Sequence, residues 1–297
     1  MNRHEIQINP SLCIGCGQCA KDCPTSNIQL KDKKAEILEA ECIMCGHCAA
    51  ICPKKAVTIS GYSEAAVEQA SSVRLDPQKV LEVIRFRRTI RQFQETEIPA
   101  EVISQILEAG RLTHTAENKQ DVTYIVIDKE KASLEQQAVK FFRRLKPVAN
   151  LFSSMARRTV IDDHFFFFQA PVAIVIAAKE EINGALTAQN MEFVAEANGL
   201  GVLYSGFFTM VVNHSRSLRA ALHIPKGKKR SQRWFWGILR YDIREVHSGI
   251  QPISAICREG LSWIRNVRSA LRISPAAFIH VKRHSLPLVM KQGRSFC

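Results

Sequence analysis

The fold of this chain is decided by two cysteine runs, Cys13-Ile-Gly-Cys16-Gly-Gln-Cys19-Ala-Lys-Asp-Cys23-Pro24 and Cys42-Ile-Met-Cys45-Gly-His-Cys48-Ala-Ala-Ile-Cys52-Pro53. Both follow the pattern C-x2-C-x2-C-x3-C-P, and the second begins 29 residues after the first. Disulfide bonds and zinc sites are two uses that such cysteine runs could have. Zinc usually takes its four ligands from two separated C-x2-C pairs, so two tandem four-cysteine runs fit it poorly.

The runs resemble the ligand signature of bacterial two-cluster ferredoxins, which implies two [4Fe-4S] clusters. The spacing agrees with this resemblance. Two-residue gaps let three thiolates converge on one cluster, and the fourth cysteine lies one turn further on, where proline directs the chain towards the other cluster. The implied ligand sets are Cys13, Cys16, Cys19 and Cys52 for one cluster, and Cys42, Cys45, Cys48 and Cys23 for the other.

Length and cysteine usage limit the protein class. The 297 residues can form a small cluster domain and one larger catalytic domain. Ten cysteines without a secretory signal predict a reducing, cytoplasmic setting. No apolar run approaches 18 residues, so no membrane association is expected.

The net charge of +13 is concentrated in the C-terminal part of the chain. Residues 230–297 hold 12 of the 41 Lys and Arg residues but only 3 of the 28 Asp and Glu residues. The basicity therefore belongs to the tail and not to the whole chain, and this distribution argues against nucleic acid as a partner.

The sequence predicts four segments: a cluster domain over 1–60, a linker over 61–75, a second domain over 76–229 and a basic tail over 230–297. Helices are predicted over 79–88, from Pro99, over 132–146 and over 187–198; Asp76-Pro77 begins the first and Gly199 ends the last. Strands are predicted over 27–30, 56–59, 122–127 and 171–178. The fold class is therefore α+β.

Several segments of the second domain, in this order and spacing, resemble the FMN-dependent nitroreductase family, in its form with an N-terminal ferredoxin-like domain. They are Arg87-Arg88-Thr89-Ile90-Arg91-Gln92-Phe93, Asn118-Lys119-Gln120, Ala188-Gln189-Asn190 through Gly199-Leu200-Gly201, and Ile224-Pro225-Lys226-Gly227. The resemblance implies a three-layer α/β/α sandwich with a mostly antiparallel sheet, FMN as a cofactor and a homodimer.

The resemblance also implies the flavin contacts. A phosphate and ribityl site is expected at Arg87, Arg88, Thr89 and Arg91, because guanidinium groups suit phosphate oxygens; a solvated helix end is the alternative. Further contacts are expected from Thr115, Asn118 and Gln120, although His114 and Asp121-Val122 depart from the family loop and an ordinary polar loop is the alternative. Ser205 and Gly206 are expected to present backbone N–H groups to the flavin ring.

The resemblance stops after Lys229, where the family continues into an apolar strand ending in Val-Leu-Gly-Tyr-Pro. This chain reads Trp234-Phe-Trp-Gly-Ile-Leu239 instead. Every codon choice for Trp-Phe-Trp-Gly, read from its third base, encodes Val-Leu-Gly, and the next codons permit Tyr-Pro. We therefore hypothesise a reading-frame shift near residues 229–230, with a genuine divergent C-terminus as the alternative. The shift predicts the loss of a central strand.

These observations predict a flavin-dependent oxidoreductase. Electrons would pass from a low-potential donor (ferredoxin, flavodoxin or NAD(P)H) through two [4Fe-4S] clusters to FMN, and then to a small acceptor such as a nitroaromatic, a quinone or an activated alkene. No residue is expected to act as an acid, base or nucleophile. The alternatives are an iron–sulfur electron carrier with a defective flavin domain, and a nonfunctional frameshifted product.

Overall fold

A computed structural model of the chain describes residues 5–38, 42–62, 67–68 and 73–224, and the backbone of Arg233–Leu239. These residues belong to one compact unit, Met1–Arg244. The basic tail beyond residue 239 lies outside the described residues.

The cysteine runs lie between four short strands. Strand β1 (Ile6–Ile8) pairs antiparallel with β4 (Val57–Ile59), and β2 (Ile28–Lys31) pairs antiparallel with β3 (Lys34–Ile37). Helices α1 (Gln18–Lys21) and α2 (His47–Ala50) each begin within one run. The strands predicted over 27–30 and 56–59 are confirmed as β2 and β4.

The larger part of the described chain is mainly helical. Its helices are α3 (Pro77–Phe86), α4 (Ala100–Arg111), α5 (Lys131–Phe152), α6 (Ser154–Arg158), α7 (Glu181–Ala197), α8 (Gly206–His214) and α9 (Arg216–Ala221). Asp76 caps α3 through its side chain, as predicted. Helix α5 continues six residues past its predicted end and contains Pro147, and α7 begins six residues before its predicted start.

A four-stranded sheet has the order β5-β6-β8-β7, in which all neighbours are antiparallel. Its strands are β5 (Val122–Ile127), β6 (Val172–Ala178), β7 (Gly201–Tyr204) and β8 (Arg233–Leu239). The strands predicted over 122–127 and 171–178 are confirmed as β5 and β6. Thr89 adds an isolated parallel bridge to Val202 in β7.

Alternate residues of β6 belong to two hydrophobic cores, one on each face of the sheet. Ala173, Val175 and Ala177 pack in a core with residues of α5, α8 and α9. Ile174 and Ile176 pack in another with residues of α4 and α7. Helices therefore cover both faces, and the predicted three-layer arrangement with an antiparallel sheet is confirmed.

The predicted loss of a central strand is wrong. The backbone of Arg233–Leu239 forms β8 between β6 and β7, with Trp236 opposite Ile174 and Tyr204. The physical reason is that aromatic and β-branched residues favour extended backbone, even where their sequence differs from that of the family's strand. Backbone pairing requires only that conformation, so this segment completes the sheet.

None of the helices in the described ranges has the length and apolar character needed to cross a membrane.

Candidate functional site

The structure brings the eight cysteines of the two runs together in two sets of four. One cavity is lined by Cys13, Cys16, Cys19 and Cys52. A second cavity is lined by Cys23, Cys42, Cys45 and Cys48. Each set therefore combines three cysteines of one run with the last cysteine of the other. In the described part of the chain, no three His, Cys, Asp or Glu side chains are spaced to hold a single metal ion.

Backbone N–H groups point at several of these sulfurs. Ala56 donates to the Cys52 Sγ at 3.2 Å, Asn27 to the Cys23 Sγ at 3.3 Å and Met44 to the Cys42 Sγ at 3.4 Å. Such donors stabilise thiolate charge. The Ala35 N–H lowers the pKa of the Cys13 thiol, with further lowering from Gly15 and Lys34. The pKa of Cys19 and Cys48 is raised by burial. The four-thiol cavities with aligned donors fit a [4Fe-4S] cluster in each set.

The second cysteine run is contacted from outside the run. The carbonyl oxygen of Met44 accepts hydrogen bonds from Tyr62 Oη at 2.8 Å and from Asn118 Nδ2 at 2.7 Å. The same Asn118 amide donates to the carbonyl of Ile43 at 3.0 Å. Asn118 lies on the loop before β5, so this contact joins the cysteine-rich segment to the helical part of the chain.

Arg87, at the end of α3, pairs with a buried carboxylate. Its Nη1 lies 2.9 Å from Glu192 Oε1, and Glu192 is only 1 % exposed. The other oxygen of Glu192 accepts from Gln189 Nε2 at 2.9 Å and from Tyr204 Oη at 3.1 Å. Burial and the adjacent Glu192 raise the pKa of the Tyr204 phenol. This network fixes the start of the expected phosphate site against α7 and β7.

The other residues expected at the phosphate lie close by. Arg88 Nη1 donates to the carbonyls of Arg85 and Arg87, each at 2.7 Å. Thr89 is held beside β7 by its bridge to Val202, and Ile90 N donates to the Val202 carbonyl at 3.1 Å. Arg91 is exposed. Residues 87–91 thus lie beside β7, the strand that ends immediately before Ser205.

Ser205 and Gly206 mark the junction of β7 and α8. Ser205 is buried, with 8 % exposure, and immediately precedes the first residue of α8. Apart from its chain neighbours and the backbone of its own helix, no atom of the described residues lies within 4 Å of the position that a Cβ at Gly206 would occupy. The backbone N–H groups at the start of a helix lack partners within that helix and are available to an anionic or polar ligand.

The third group of expected flavin residues is organised separately. Thr115 Oγ1 accepts from the Gln120 backbone at 3.0 Å, and Gln120 Nε2 donates to Asn118 Oδ1 at 3.1 Å. This loop is attached to α7 through the Ala116 N–H, which donates to Asn183 Oδ1 at 2.9 Å. The loop of Thr115, Asn118 and Gln120 is therefore bonded to the beginning of α7 and to the second cysteine run. Arg87 is bonded instead to the later turns of α7.

An apolar cavity of about 220 Å³ lies beside α8. It is bounded by Phe207 and Met210 of α8 and by residues of α5 and α6, including Phe142. Because Phe207 directly follows Gly206, the cavity begins next to the segment expected to contact the flavin ring.

Sequence reasoning missed the residues that connect these parts. Glu192, Asn183 and Tyr62 each join two segments, yet none belongs to a motif. Glu192 offered one signal, since it is an acidic residue in a helix of mainly small and apolar residues, where burial requires a partner.

Residues 84–235 match the Nitroreductase family, and residues 5–53 match the 4Fe-4S dicluster domain. A protein of Methanothermobacter thermautotrophicus described as an NADH dehydrogenase or NAD(P)H nitroreductase is 26% identical over 156 residues, which is 50% of this chain and 70% of that protein.

Solved structures are also similar to parts of this chain, at lower identity. An FMN-dependent nitroreductase of Clostridium difficile is 19% identical, with a TM-score of 0.45, over 60% of this chain and 100% of its own. A nitroreductase of Bacteroides fragilis with bound FMN is 17% identical, with a TM-score of 0.45, over 59% of this chain and 98% of its own.

The dicluster match confirms the expected N-terminal iron–sulfur domain for two [4Fe-4S] clusters. The match of residues 84–235 covers more than half of the chain and includes the Arg87, Ser205 and Asn118 regions described above. The chain belongs to the nitroreductase family of oxidoreductases.

Proposed function

We propose that this protein is an FMN-dependent oxidoreductase that takes electrons from a low-potential donor through two [4Fe-4S] clusters and delivers them to a small acceptor. The observation that carries this proposal is the presence of two four-thiol cavities in the same chain as a nitroreductase-family domain. The proposed domain limits are 1–60 for the clusters, 61–75 for the linker, 76–229 for the flavin domain and 230–297 for the tail.

The cysteines are the proposed cluster ligands, in the two sets that line the cavities. Cys13, Cys16, Cys19 and Cys52 would hold one cluster, and Cys23, Cys42, Cys45 and Cys48 the other. The N–H groups that point at Cys52, Cys23 and Cys42 would stabilise the negative charge of a bound cluster.

The flavin phosphate is proposed to lie at residues 87–91, where Arg88 and Arg91 supply positive charge beside Arg87 and Thr89. Arg87 already has a carboxylate partner in Glu192, so its guanidinium positions this segment as well as contributing charge. The N–H groups at Ser205 and Gly206 would face the flavin ring, and Thr115, Asn118 and Gln120 would border it. When bound, FMN supplies the transfer of a hydride or electron pair, and the protein positions it.

The proposed acceptor is a small planar or apolar molecule: a nitroaromatic, a quinone or an activated alkene. The apolar cavity beside Phe207 and Met210 supports this class, because it begins next to the proposed flavin contacts. NAD(P)H is one proposed donor, and the described relative from Methanothermobacter thermautotrophicus supports it by name. Ferredoxin and flavodoxin are the others.

A homodimer is the proposed assembly. The end of α5 and the segment after it expose large apolar side chains, among them Leu151 (74 %), Phe152 (85 %) and Val160 (79 %). Several large apolar side chains exposed within one short segment are a feature of interfaces. A second copy of this chain is the proposed occupant.

The experiment that tests this proposal is the anaerobic purification of the full chain, with iron and FMN measured per polypeptide and the visible spectrum recorded. We expect about eight iron atoms, from two four-iron clusters, and one FMN. Eight iron atoms without flavin would instead identify an iron–sulfur electron carrier with a defective flavin domain. Absence of both cofactors from soluble protein would overturn the proposal.

A further inference from the structure

Two hydrogen-bond donors from outside the second cysteine run converge on one carbonyl within it. Tyr62 Oη and Asn118 Nδ2 lie 2.8 and 2.7 Å from the Met44 oxygen, and Asn118 also reaches the Ile43 oxygen at 3.0 Å. Ile43 and Met44 are the two residues between Cys42 and Cys45. The contact therefore falls on the two-residue loop between two proposed ligands of one cluster.

The corresponding loop of the first run is closed by its own domain. Gly15 occupies the position equivalent to Met44, and both have a positive φ, +71° and +53°. A Cβ at Gly15 would lie 2.1 Å from the Lys33 carbonyl oxygen, so a neighbouring turn covers that loop. Met44 carries a side chain in the same left-handed conformation, which is uncommon and persists where surrounding contacts determine it.

Asn118 is held in place from its own side. Its Oδ1 accepts from Gln120 Nε2 at 3.1 Å, and its N–H donates to the Thr115 carbonyl at 2.9 Å. The loop is anchored to α7 by the bond from Ala116 N to Asn183 Oδ1, and Asn183 Nδ2 donates to Asp121 Oδ1 at 2.8 Å. Both N–H groups of the Asn118 amide can thus be presented to the cysteine loop from a fixed support.

We propose that Asn118 is a positioning residue that docks the Cys42–Cys45 loop onto the nitroreductase domain, and that the cluster of Cys23, Cys42, Cys45 and Cys48 is consequently the one that exchanges electrons with the flavin. This inference rests on the proposed function. The cluster of Cys13, Cys16, Cys19 and Cys52 then receives electrons from the external donor. Two successive one-electron transfers from a ferredoxin- or flavodoxin-type donor reduce one flavin by two electrons, and the accompanying protons come from water.

The docking is tested by hydrogen–deuterium exchange of the full, cluster-loaded chain. Asn118→Ala removes two bonds to the loop, and Tyr62→Phe removes one while keeping the ring. Lys34→Met is the matched control, because Lys34 Nζ donates to the Cys13 carbonyl in the first run. We expect amides of residues 42–48 to exchange at least about fivefold faster in Asn118→Ala, less so in Tyr62→Phe, with residues 13–19 unchanged.

Lys34→Met should give the opposite pattern, with faster exchange in residues 13–19 alone. Unchanged exchange of residues 42–48 in Asn118→Ala, or equal acceleration in both runs, would overturn the docking role. This arm needs no flavin, so it decides the docking even if the wild-type chain binds none and the proposed function fails.

The electron route is tested in FMN-loaded protein by injecting electrons with photoreduced methyl viologen. The phase in which cluster absorbance recovers while flavin absorbance bleaches, at a rate independent of protein concentration, reports the internal transfer. We expect this phase, measured after reconstitution of each variant to the same FMN occupancy, to slow at least about fivefold in Asn118→Ala and to remain unchanged in Lys34→Met. An unchanged rate in Asn118→Ala despite faster exchange would overturn the assigned route. Loss of FMN without faster exchange would instead make Asn118 a flavin contact.

Discussion

Arg87 and Glu192, separated by 105 residues in sequence, form an ion pair of 2.9 Å in which the carboxylate is buried. A buried carboxylate needs partners to offset its lost hydration. Gln189 and Tyr204 supply two more, so Glu192 joins α3, α7 and β7 at the proposed phosphate site. The ion pair has a structural role that is independent of any bound cofactor.

Arg87→Met should therefore destabilise the protein even without flavin. Leaving the Glu192 carboxylate buried without its cation is expected to cost about 2–4 kcal/mol of unfolding free energy. Arg91→Met, at an exposed side chain, should change stability by less than about 0.5 kcal/mol and weaken FMN binding roughly tenfold or more. Denaturant unfolding of flavin-free protein and FMN fluorescence titration measure the two effects. Equal stabilities of the two variants would contradict the structural role of Arg87.

Cysteine pairs distinguish the crossed ligand sets from sets taken within each run. Cys13→Ser/Cys52→Ser removes two thiols from one cavity, so one intact cluster and about four iron atoms per chain should remain. Cys13→Ser/Cys23→Ser removes one thiol from each cavity and should leave fewer iron atoms, although both cysteines belong to the same run. Iron analysis and low-temperature EPR of the reduced proteins measure this. If Cys13→Ser/Cys52→Ser kept fewer iron atoms than Cys13→Ser/Cys23→Ser, each cluster would instead take its four ligands from one run.

Glu135 predicts a specific pH dependence of stability. Its buried carboxyl group accepts hydrogen bonds from the N–H groups of Phe166 and Phe167 at 3.1 and 2.7 Å, and His164 and Lys131 are the titratable groups beside it. Burial raises the pKa of Glu135 above 4.5, although those two N–H groups and His164 each act to lower it. The folded state then binds the proton more tightly than the unfolded state, so this contribution is complete below pH 4.5 and is lost as pH rises through the folded pKa.

Glu135→Gln, which keeps an acceptor oxygen but does not titrate, should remove this dependence. Relative to the wild type, the variant should gain stability as pH rises from 4.5, by no more than about 1.4 kcal/mol per pH unit. Unfolding followed between pH 5 and pH 8 provides the comparison. Parallel stability curves for the two proteins would show that Glu135 does not titrate in this range.

The apolar surface at the end of α5 predicts the effect of a charge at the proposed dimer interface. Phe152→Glu should convert a dimer into a monomer, since it introduces a charge where a side chain 85 % exposed is expected to be covered by the partner. Val67→Glu is the control, because Val67 is 93 % exposed but lies before the flavin domain. Light scattering coupled to size-exclusion chromatography measures the mass. A monomeric wild type would refute the proposed assembly.

The gene should contain a second reading of the segment that encodes β8. When the codons of residues 230–240 are read from their third base, they are expected to encode an apolar strand that continues into Val-Leu-Gly-Tyr-Pro. Protein expressed with the frame restored should retain more FMN and unfold at a higher temperature than the present chain. A nucleotide sequence that gives no Tyr-Pro after Val-Leu-Gly, or that reaches a stop codon at once, would argue for a genuine divergent C-terminus.

Local patterns predicted those parts of the structure that local chemistry determines. The cysteine spacing, the Asp76 cap and the apolar run of β6 each carry their signal within a few neighbouring residues. The pairing of Glu192 with Arg87 and the contact of Asn118 with Met44 depend on how distant segments meet, which periodicity does not encode. The wrong expectation for residues 233–239 came from comparison with a family sequence, whereas the hydrophobic and β-forming character of Trp234–Leu239 already favoured a strand.

The position of β8 has a consequence for synthesis of the protein. Strand β8 lies between β6 and β7, yet it is the last of the four strands to leave the ribosome. Until residues 233–239 emerge, β6 has a partner on one side only and β7 has none in this sheet, so both carry open backbone edges in a nascent chain of more than 200 residues. Such edges favour pairing with other chains. The sheet therefore cannot be completed until residues 233–239 have emerged, and the yield of folded protein should depend on protection of these open edges during that interval.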